Sequence, residues 1–112
     1  EVRDLLSGFE DRAGIAAVNG PSAVVVSGAQ DAVTKVADRL AADGRKTKAL
    51  SVSHAFHSPL MDPMLDDFRK VAEGVSFGVP TLPVVSTLTG APVPAEEFCS
   101  AEYWVRHVRE AV

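Results

Sequence analysis

Residues 14–27, GIAAVNGPSAVVVS, contain the pattern that decides the fold. Two β-prone runs, residues 14–19 and 23–27, lie on either side of Asn19-Gly20-Pro21. An Asn-Gly pair tolerates the positive φ that a tight connection needs, so the sequence predicts a β-hairpin. The second run is continuous valine rather than an alternation, which predicts a strand that is covered on both faces or lies centrally in its sheet.

Helical patterns flank this hairpin. Residues 2–10 repeat apolar side chains at helical spacing and predict a short helix. Ser27 and Gln30 have the spacing of a capping box, so a second helix is predicted to start there and to end at Gly44. Its apolar face comprises Val33, Val36, Ala37, Leu40 and Ala41. Residues 46–52 alternate charged with smaller or apolar side chains and predict a further strand.

The strongest helical pattern of the chain lies in its second half and ends at Gly74. Its apolar stripe is Met61, Met64, Leu65, Phe68, Val71 and Ala72. Two starts are possible, Ser58 as the cap with Pro59 in the first turn, or Asp62 with Pro63. We favour a turn at Pro59 that leads into the helix.

A short strand and a last helix complete the predicted elements. The strand covers residues 84–88 and turns at Thr89-Gly90, and the helix starts with Ser100 as its cap. The stripe predicted to be buried on this helix is Trp104, Val105, Val108 and Val112. The fold class predicted from these elements is α+β.

Composition limits the classes of function. The chain has 112 residues, 46% of them apolar, and a formal net charge of −4, which suits one small domain and provides no basic field for nucleic acid or an anionic membrane. Cys99 is the single cysteine, which excludes an internal disulfide framework and fits a semi-buried thiol in a reducing compartment. We find no leader and no apolar run near the roughly 20 residues of a membrane span, so we expect a cytoplasmic chain. Both ends lie inside amphipathic patterns, which suggests a piece of a longer protein.

Residues 53–61, SHAFHSPLM, are the candidate functional segment. An imidazole held between a strand and a helix start can act as a general base, although His54 and His57 could equally be ordinary loop residues. Three converging zinc ligands are not apparent, so no metal site is predicted. The chain lacks the Gly-x-Ser-x-Gly turn of a nucleophilic serine, and Ser53 and Ser58 are expected to make local hydrogen bonds or caps.

Five motifs occur in one order along the chain. They are AVNGP at 17–21, VVSG at 25–28, SHAFHSPLM at 53–61, PVVS at 83–86 and YWVRHVR at 103–109. Together they resemble the acyltransferase domains of modular type I polyketide synthases, relatives of the malonyl-CoA:acyl carrier protein transacylases. The likeness runs from about residue 13 to the end of the chain.

The resemblance implies a fold of two parts. Residues 1–51 would be the ferredoxin-like small subdomain, a β-α-β-β-α-β unit whose first strand is missing here. Residues 52–112 would return to the α/β hydrolase-like large subdomain and carry the catalytic histidine loop and two helices.

The resemblance also implies a ping-pong reaction. A serine takes a malonyl group from the coenzyme A thioester and passes it to the phosphopantetheine thiol of an acyl carrier protein, with His57 as the base. A backbone carbonyl orients the imidazole in this family, and Thr87 looks like the residue that provides it. The serine would lie upstream of Glu1, so the chain alone is expected to be inactive. Its other expected partners are the rest of the acyltransferase domain and adjacent synthase domains, with no bound cofactor.

Substrate choice is implied by His54, Ala55 and Phe56. The His-Ala-Phe-His form of this loop goes with malonyl units and a Tyr-Ala-Ser-His form with methylmalonyl units. A phenyl ring at Phe56 would occupy the space that a methyl branch needs, which biases selection by about 1–3 kcal/mol.

Two other functions remain open at this stage. One is a ferredoxin-like binding module without chemistry that recognises a carrier protein or a neighbouring domain. The other is a small metal-binding regulator, which bound zinc would reveal. A binding module should tolerate substitution of His57, whereas an acyltransferase should lose its activity.

Overall fold

A computed structural model describes residues 1–112 and is mixed α and β. Its α-helices and β-strands are α1 Val2–Leu5, β1 Ala13–Gly20, β2 Ala23–Gly28, α2 Gln30–Ala42, α3 Leu65–Glu73, β3 Val85–Ser86, β4 Ala91–Pro92 and α4 Ala101–Arg109. Two 3₁₀ helices, Pro59–Met64 and Ala95–Cys99, precede α3 and α4. The α+β class predicted from the sequence is therefore confirmed. No helix has both the length and the apolar character that a membrane crossing requires.

The predicted hairpin is confirmed, and β1 pairs with β2 in antiparallel register from Ala13 opposite Gly28 to Gly20 opposite Ala23. The outer edge of β1 is also occupied, because Val112 donates to the Ala16 carbonyl and accepts from the Val18 N–H. The end of the chain therefore lies beside β1 like a short third strand.

Helices α1 and α2 bury their apolar residues against this hairpin. The buried cluster is Leu6, Ala13, Ala32 and Val36. The predicted capping box is wrong, because Ala29 is the N-cap of α2 and no side chain caps the helix. The Ala29 N–H instead donates to the Arg12 carbonyl, so the close of the hairpin holds the helix start. Gly44 follows the end of α2 with a φ of +77°, as predicted.

The strand predicted over residues 46–52 is wrong for this structure, where the segment has no regular secondary structure and is exposed. Leu50 is 57% exposed and Val52 is 70% exposed. Alternation alone does not make a strand, because each backbone N–H and C=O needs a partner, and this segment meets no free strand edge.

The second half packs α3 against α4. Ser58 caps the Pro59–Met64 helix by accepting a hydrogen bond from the Leu60 N–H, which confirms the start at Pro59. The buried residues of this half include Met61, Ala72, Tyr103 and Val105. The predicted stripe of α3 is too wide, because Val71 is 68% exposed.

The strand predicted at 84–88 is shorter than expected. Val85 and Ser86 pair with Pro92 and Ala91, and the chain turns between them at Gly90, whose φ is +69°. Ser100 is the N-cap of α4 as predicted, although its side chain makes no cap hydrogen bond.

Candidate active site

His57 has a backbone conformation that few residues adopt. Its φ is +59°, and it is the one non-glycine residue of the chain with a positive φ. The left-handed region costs a β-carbon-bearing residue about 1 kcal/mol or more, and such residues concentrate at functional sites. The His57 N–H donates to the Val108 carbonyl of α4 at 3.0 Å, which anchors this conformation.

The His57 ring is fixed to the same end of α4. Its Nδ1 lies 2.8 Å from the Glu110 carbonyl oxygen. Because a carbonyl only accepts, Nδ1 carries the hydrogen and the lone pair is on Nε2. An imidazole in this tautomer has its basic nitrogen directed away from the helix end, which is the state a general base requires.

The carbonyl at this position is not that of Thr87, which the sequence had suggested. Thr87 instead contacts a third histidine, with its Oγ1 2.8 Å from Nε2 of His107. Every residue has a main-chain carbonyl, so the residue type does not reveal which one accepts from His57. Only the path of the chain beyond α4 shows that it is the carbonyl of Glu110.

His107 lies next to His57. The two ring centroids are 5.9 Å apart at an interplanar angle of 75°, an edge-to-face arrangement. Burial lowers the pKa of His107, and the neighbouring charge on His57 lowers it further. The sequence indicated no role for His107 and did not predict this contact, although His107 lies in the motif at 103–109.

Two ion pairs lie at the surface near the end of α4. Arg109 pairs with Asp62 of the 3₁₀ helix, and Arg106 pairs with Glu110 at 3.0 Å. Arg106 lowers the pKa of the Glu110 carboxyl. Exposed pairs of this kind contribute roughly 0–1 kcal/mol each, and only the pair of Arg109 with Asp62 joins α4 to the helix after His57.

The residues before His57 form an exposed turn. Phe56 is 45% exposed, and its ring lies 5.7 Å from that of His54. The Ala55 carbonyl accepts a hydrogen bond from the buried Ser58 hydroxyl at 2.6 Å. The expected local role of Ser58 is thereby confirmed, as is that of Ser53, whose hydroxyl contacts His54.

An open cleft of about 390 Å³ adjoins His57 between the hairpin and the histidine loop. Its lining includes Arg3, Glu10, Pro59 and Arg109. Both serines of the loop already have partners, and neither is within hydrogen-bonding distance of the His57 ring. Cys99 is partly buried and bonds its own helix at the Ala95 carbonyl, and no group of three or more metal-ligating side chains occurs. Of the two ring nitrogens of His57, only Nδ1 is hydrogen-bonded within this chain.

Comparison with known proteins gives a consistent result. A family model described as acyl transferase domain matches residues 2–112. The chain is 62% identical over 112 residues to the polyketide synthase GfsA of Streptomyces halstedii, an alignment that covers all of this chain and 2% of GfsA.

Solved structures agree with this match. The acyltransferase domain from the second module of the salinomycin polyketide synthase is 58% identical with a TM-score of 0.89, covering 99% of this chain and 26% of that one. A malonyl-transacylase, PlMCAT, solved in complex with the type II acyl-carrier protein AntF, is 29% identical with a TM-score of 0.80, covering 99% of this chain and 35% of that one. The chain thus spans about a quarter of a solved domain and a small part of the synthase.

Proposed function

The chain belongs to the acyl transferase domain family, and from this we propose that it supplies the general base and the selectivity loop of a malonyl-specific acyltransferase. The complete domain would load a malonyl unit from malonyl-CoA onto an acyl carrier protein. The observation that carries the proposal is the contact of His57 Nδ1 with the Glu110 carbonyl, which puts the hydrogen of the neutral imidazole on Nδ1, in a ring that lines an open cleft.

The reaction would use this nitrogen four times. In the first half, Nε2 takes the hydroxyl proton of a serine in the remainder of the domain as the serine oxygen attacks the thioester carbonyl. The C–S bond then breaks, and the imidazolium returns the proton to the departing coenzyme A thiolate. In the second half, Nε2 takes a proton from the phosphopantetheine thiol, which attacks the serine ester. The departing serine oxygen receives that proton.

The Glu110 carbonyl replaces Thr87 as the proposed orienting group. It holds the tautomer in the resting state and accepts a charge-assisted hydrogen bond when His57 becomes an imidazolium. The end of α4 adds the partial negative charge of its unpaired carbonyls, which stabilises a cation at that place.

Phe56, with Ala55 and His54 beside it, is the proposed selectivity element. The phenyl ring is exposed on the loop immediately before the base, so in the complete domain it can meet the acyl group that His57 serves. The tilted contact with His54 limits the directions in which that ring can move. A methyl branch at C2 of the acyl group would compete for the space of the ring.

The proposed architecture explains the failed strand at 46–52. Residues 1–51 would be a ferredoxin-like unit, in which the two strands joined by each helix are separated by a strand of the other half. Residues 46–52 would then pair with a strand preceding α1, which these residues do not include. Residues 52–112 would belong to the hydrolase-like part.

The proposed partners are an acyl carrier protein with its phosphopantetheine thiol, malonyl-CoA, the remainder of the domain and neighbouring synthase domains. The carrier-protein complex of PlMCAT supports the first of these. We propose no bound cofactor, and a cytoplasmic location remains a prediction.

The test is intact-mass spectrometry of the complete domain after brief exposure to equal malonyl-CoA and methylmalonyl-CoA. We expect malonyl labelling of the domain, none in the His57→Ala variant on the same time scale, and none of the 112-residue chain. Phe56→Ser should raise the ratio of methylmalonyl to malonyl labelling relative to wild type by about 10- to 200-fold, the range for one methyl group in a pocket.

Phe56→Leu is the matched control, because it keeps apolar bulk at the same position. It should retain most of the malonyl preference. Labelling of the 112-residue chain itself, or wild-type labelling rates in His57→Ala, would contradict the proposed role of His57. An unchanged ratio in Phe56→Ser would contradict the selectivity role alone.

A further inference from the structure

We propose that His107 is a positioning residue for His57, held in place by the Thr87 hydroxyl. This inference rests on the proposed role of His57 as the base. It concerns the side chains of His107 and Thr87, for which the sequence suggested no such role.

The backbone contacts of His57 leave its ring only partly constrained. The Glu110 carbonyl engages one ring nitrogen, and the Val108 carbonyl engages the main chain. Rotation about the Cβ–Cγ bond would remove Nδ1 from its acceptor and turn Nε2 out of line. The ring of His107, edge-to-face at 5.9 Å, closes one side of the imidazole and blocks rotation in that direction.

His107 is itself held on several sides. Its Nε2 contacts Thr87 Oγ1 at 2.8 Å, and the rings of Tyr103 and Trp104 lie 5.9 and 5.8 Å from it. The neighbouring residue Ser86 makes a matching contact, because its buried hydroxyl lies 2.8 Å from the Tyr103 hydroxyl. Thr87 therefore bonds the His107 ring directly, whereas Ser86 bonds Tyr103 one turn earlier in α4.

His107 acts through contact and not as a second base. Burial and the charge on His57 both disfavour its protonated form. When His57 accepts a proton from a substrate, a second proton on His107 is therefore opposed. The neutral His107 ring stays packed against the His57 ring and hydrogen-bonded to Thr87 throughout the transfer.

The test compares Thr87→Val with Thr87→Ser in the complete acyltransferase domain. Valine removes the hydroxyl at nearly constant volume, whereas serine keeps it. We expect kcat for malonyl transfer to fall about five- to tenfold in Thr87→Val with KM unchanged, and to stay within twofold of wild type in Thr87→Ser. The kcat of His107→Ala should fall at least as far as that of Thr87→Val. The kcat of the double variant should fall no further than that of His107→Ala alone, because Thr87 acts on His57 only through His107.

A spectroscopic readout separates positioning from general damage. Nitrogen-15 NMR of the imidazoles should show His57 as the Nδ1–H tautomer in wild type and Thr87→Ser, and a mixture of tautomers in Thr87→Val. Ser86→Ala is the structural control, because it removes the contact with the Tyr103 hydroxyl and the bond from the Leu88 N–H while the bond between Thr87 and His107 remains. It should lower the melting temperature while the tautomer and kcat remain those of wild type.

The outcomes distinguish this inference from the proposed function. Activity in His57→Ala would overturn the role of His57 and this inference with it. An inactive His57→Ala combined with a wild-type kcat and tautomer in Thr87→Val would overturn the positioning role alone. An equal loss of kcat in Ser86→Ala and Thr87→Val would also overturn it, because the effect would then be one of packing.

Discussion

Gly28 closes the hairpin at a place where no other residue fits, and Gly28→Ala should therefore strongly destabilise the fold. A β-carbon at Gly28 would lie 2.3 Å from the Arg12 carbonyl oxygen and 2.4 Å from the Ala13 α-carbon. Both neighbours are backbone atoms, so neither can rotate away. The φ of +150° at Gly28 is itself a conformation that residues with a side chain rarely adopt.

The size of the effect follows from these two causes. The conformation costs an alanine about 1–3 kcal/mol. The added β-carbon would lie about 1 Å closer to its neighbours than ordinary van der Waals contact, and forcing an atom into a packed site typically costs another 1–3 kcal/mol. Since Ala13 also belongs to the buried cluster and Arg12 holds the start of α2, we expect a loss of about 2–6 kcal/mol in the free energy of unfolding.

Urea denaturation followed by far-UV circular dichroism measures this loss. Gly14→Ala is the matched control, since Gly14 lies in the same hairpin, opposite Ser27, with no atom within 4 Å of an added β-carbon. We expect the free energy of unfolding of Gly14→Ala to be within about 0.5–1 kcal/mol of wild type, on the stabilising side. If the free energies of unfolding of the two variants agree within about 0.5 kcal/mol, the close approach at Gly28 is not what holds the hairpin, and the reasoning is refuted.

Three further predictions concern the histidine loop. His57→Asn should stay within about 1 kcal/mol of wild type in urea denaturation, because asparagine tolerates a positive φ and its amide can donate to the Glu110 carbonyl, while the complete domain loses malonyl transfer. The pKa of His107 is lowered in the folded chain, so the unfolded chain binds more protons as the pH falls below about 6.5. The free energy of unfolding should therefore decrease as the pH falls through this range. Denaturation midpoints measured against pH should decrease less in His107→Gln than in wild type. Ser58→Ala removes two hydrogen bonds of a side chain with 0% exposure and should cost about 1–3 kcal/mol, whereas exposed Ser53→Ala should cost less than about 0.5 kcal/mol; equal melting temperatures would argue against the cap.

Local patterns predicted the elements whose partners are near in sequence. The hairpin needs only its two runs and the turn between them, and α2 needs only its apolar stripe and Gly44, so both were visible in the sequence. Ser58 and Pro59 likewise mark the start of the 3₁₀ helix through contacts within a few residues. His57 was also singled out from the sequence, since an imidazole before a helix start is a side-chain signal, and its role as the base stays a prediction.

Long-range backbone contacts could not be predicted in the same way. The strand expected at 46–52 depends on a partner edge, which no residue within the segment specifies. The acceptor for His57 is a main-chain carbonyl 53 positions away, and any residue type could provide it. The capping box at Ser27 failed because Ser27 belongs to β2, where it lies opposite Gly14, and the helix begins only at Gln30.

The pairing of Val112 with the outer edge of β1 has a mechanical meaning for the site. Glu110 lies between two attachments, α4 on one side and, through Val112, the hairpin on the other. The carbonyl that accepts from His57 Nδ1 is thus held from both sides, and its position depends on both attachments. A small tilt of the hairpin relative to α3 and α4 would move the carbonyl away from Nδ1, so a displacement between the two halves of the chain would weaken the hydrogen bond that orients the His57 ring.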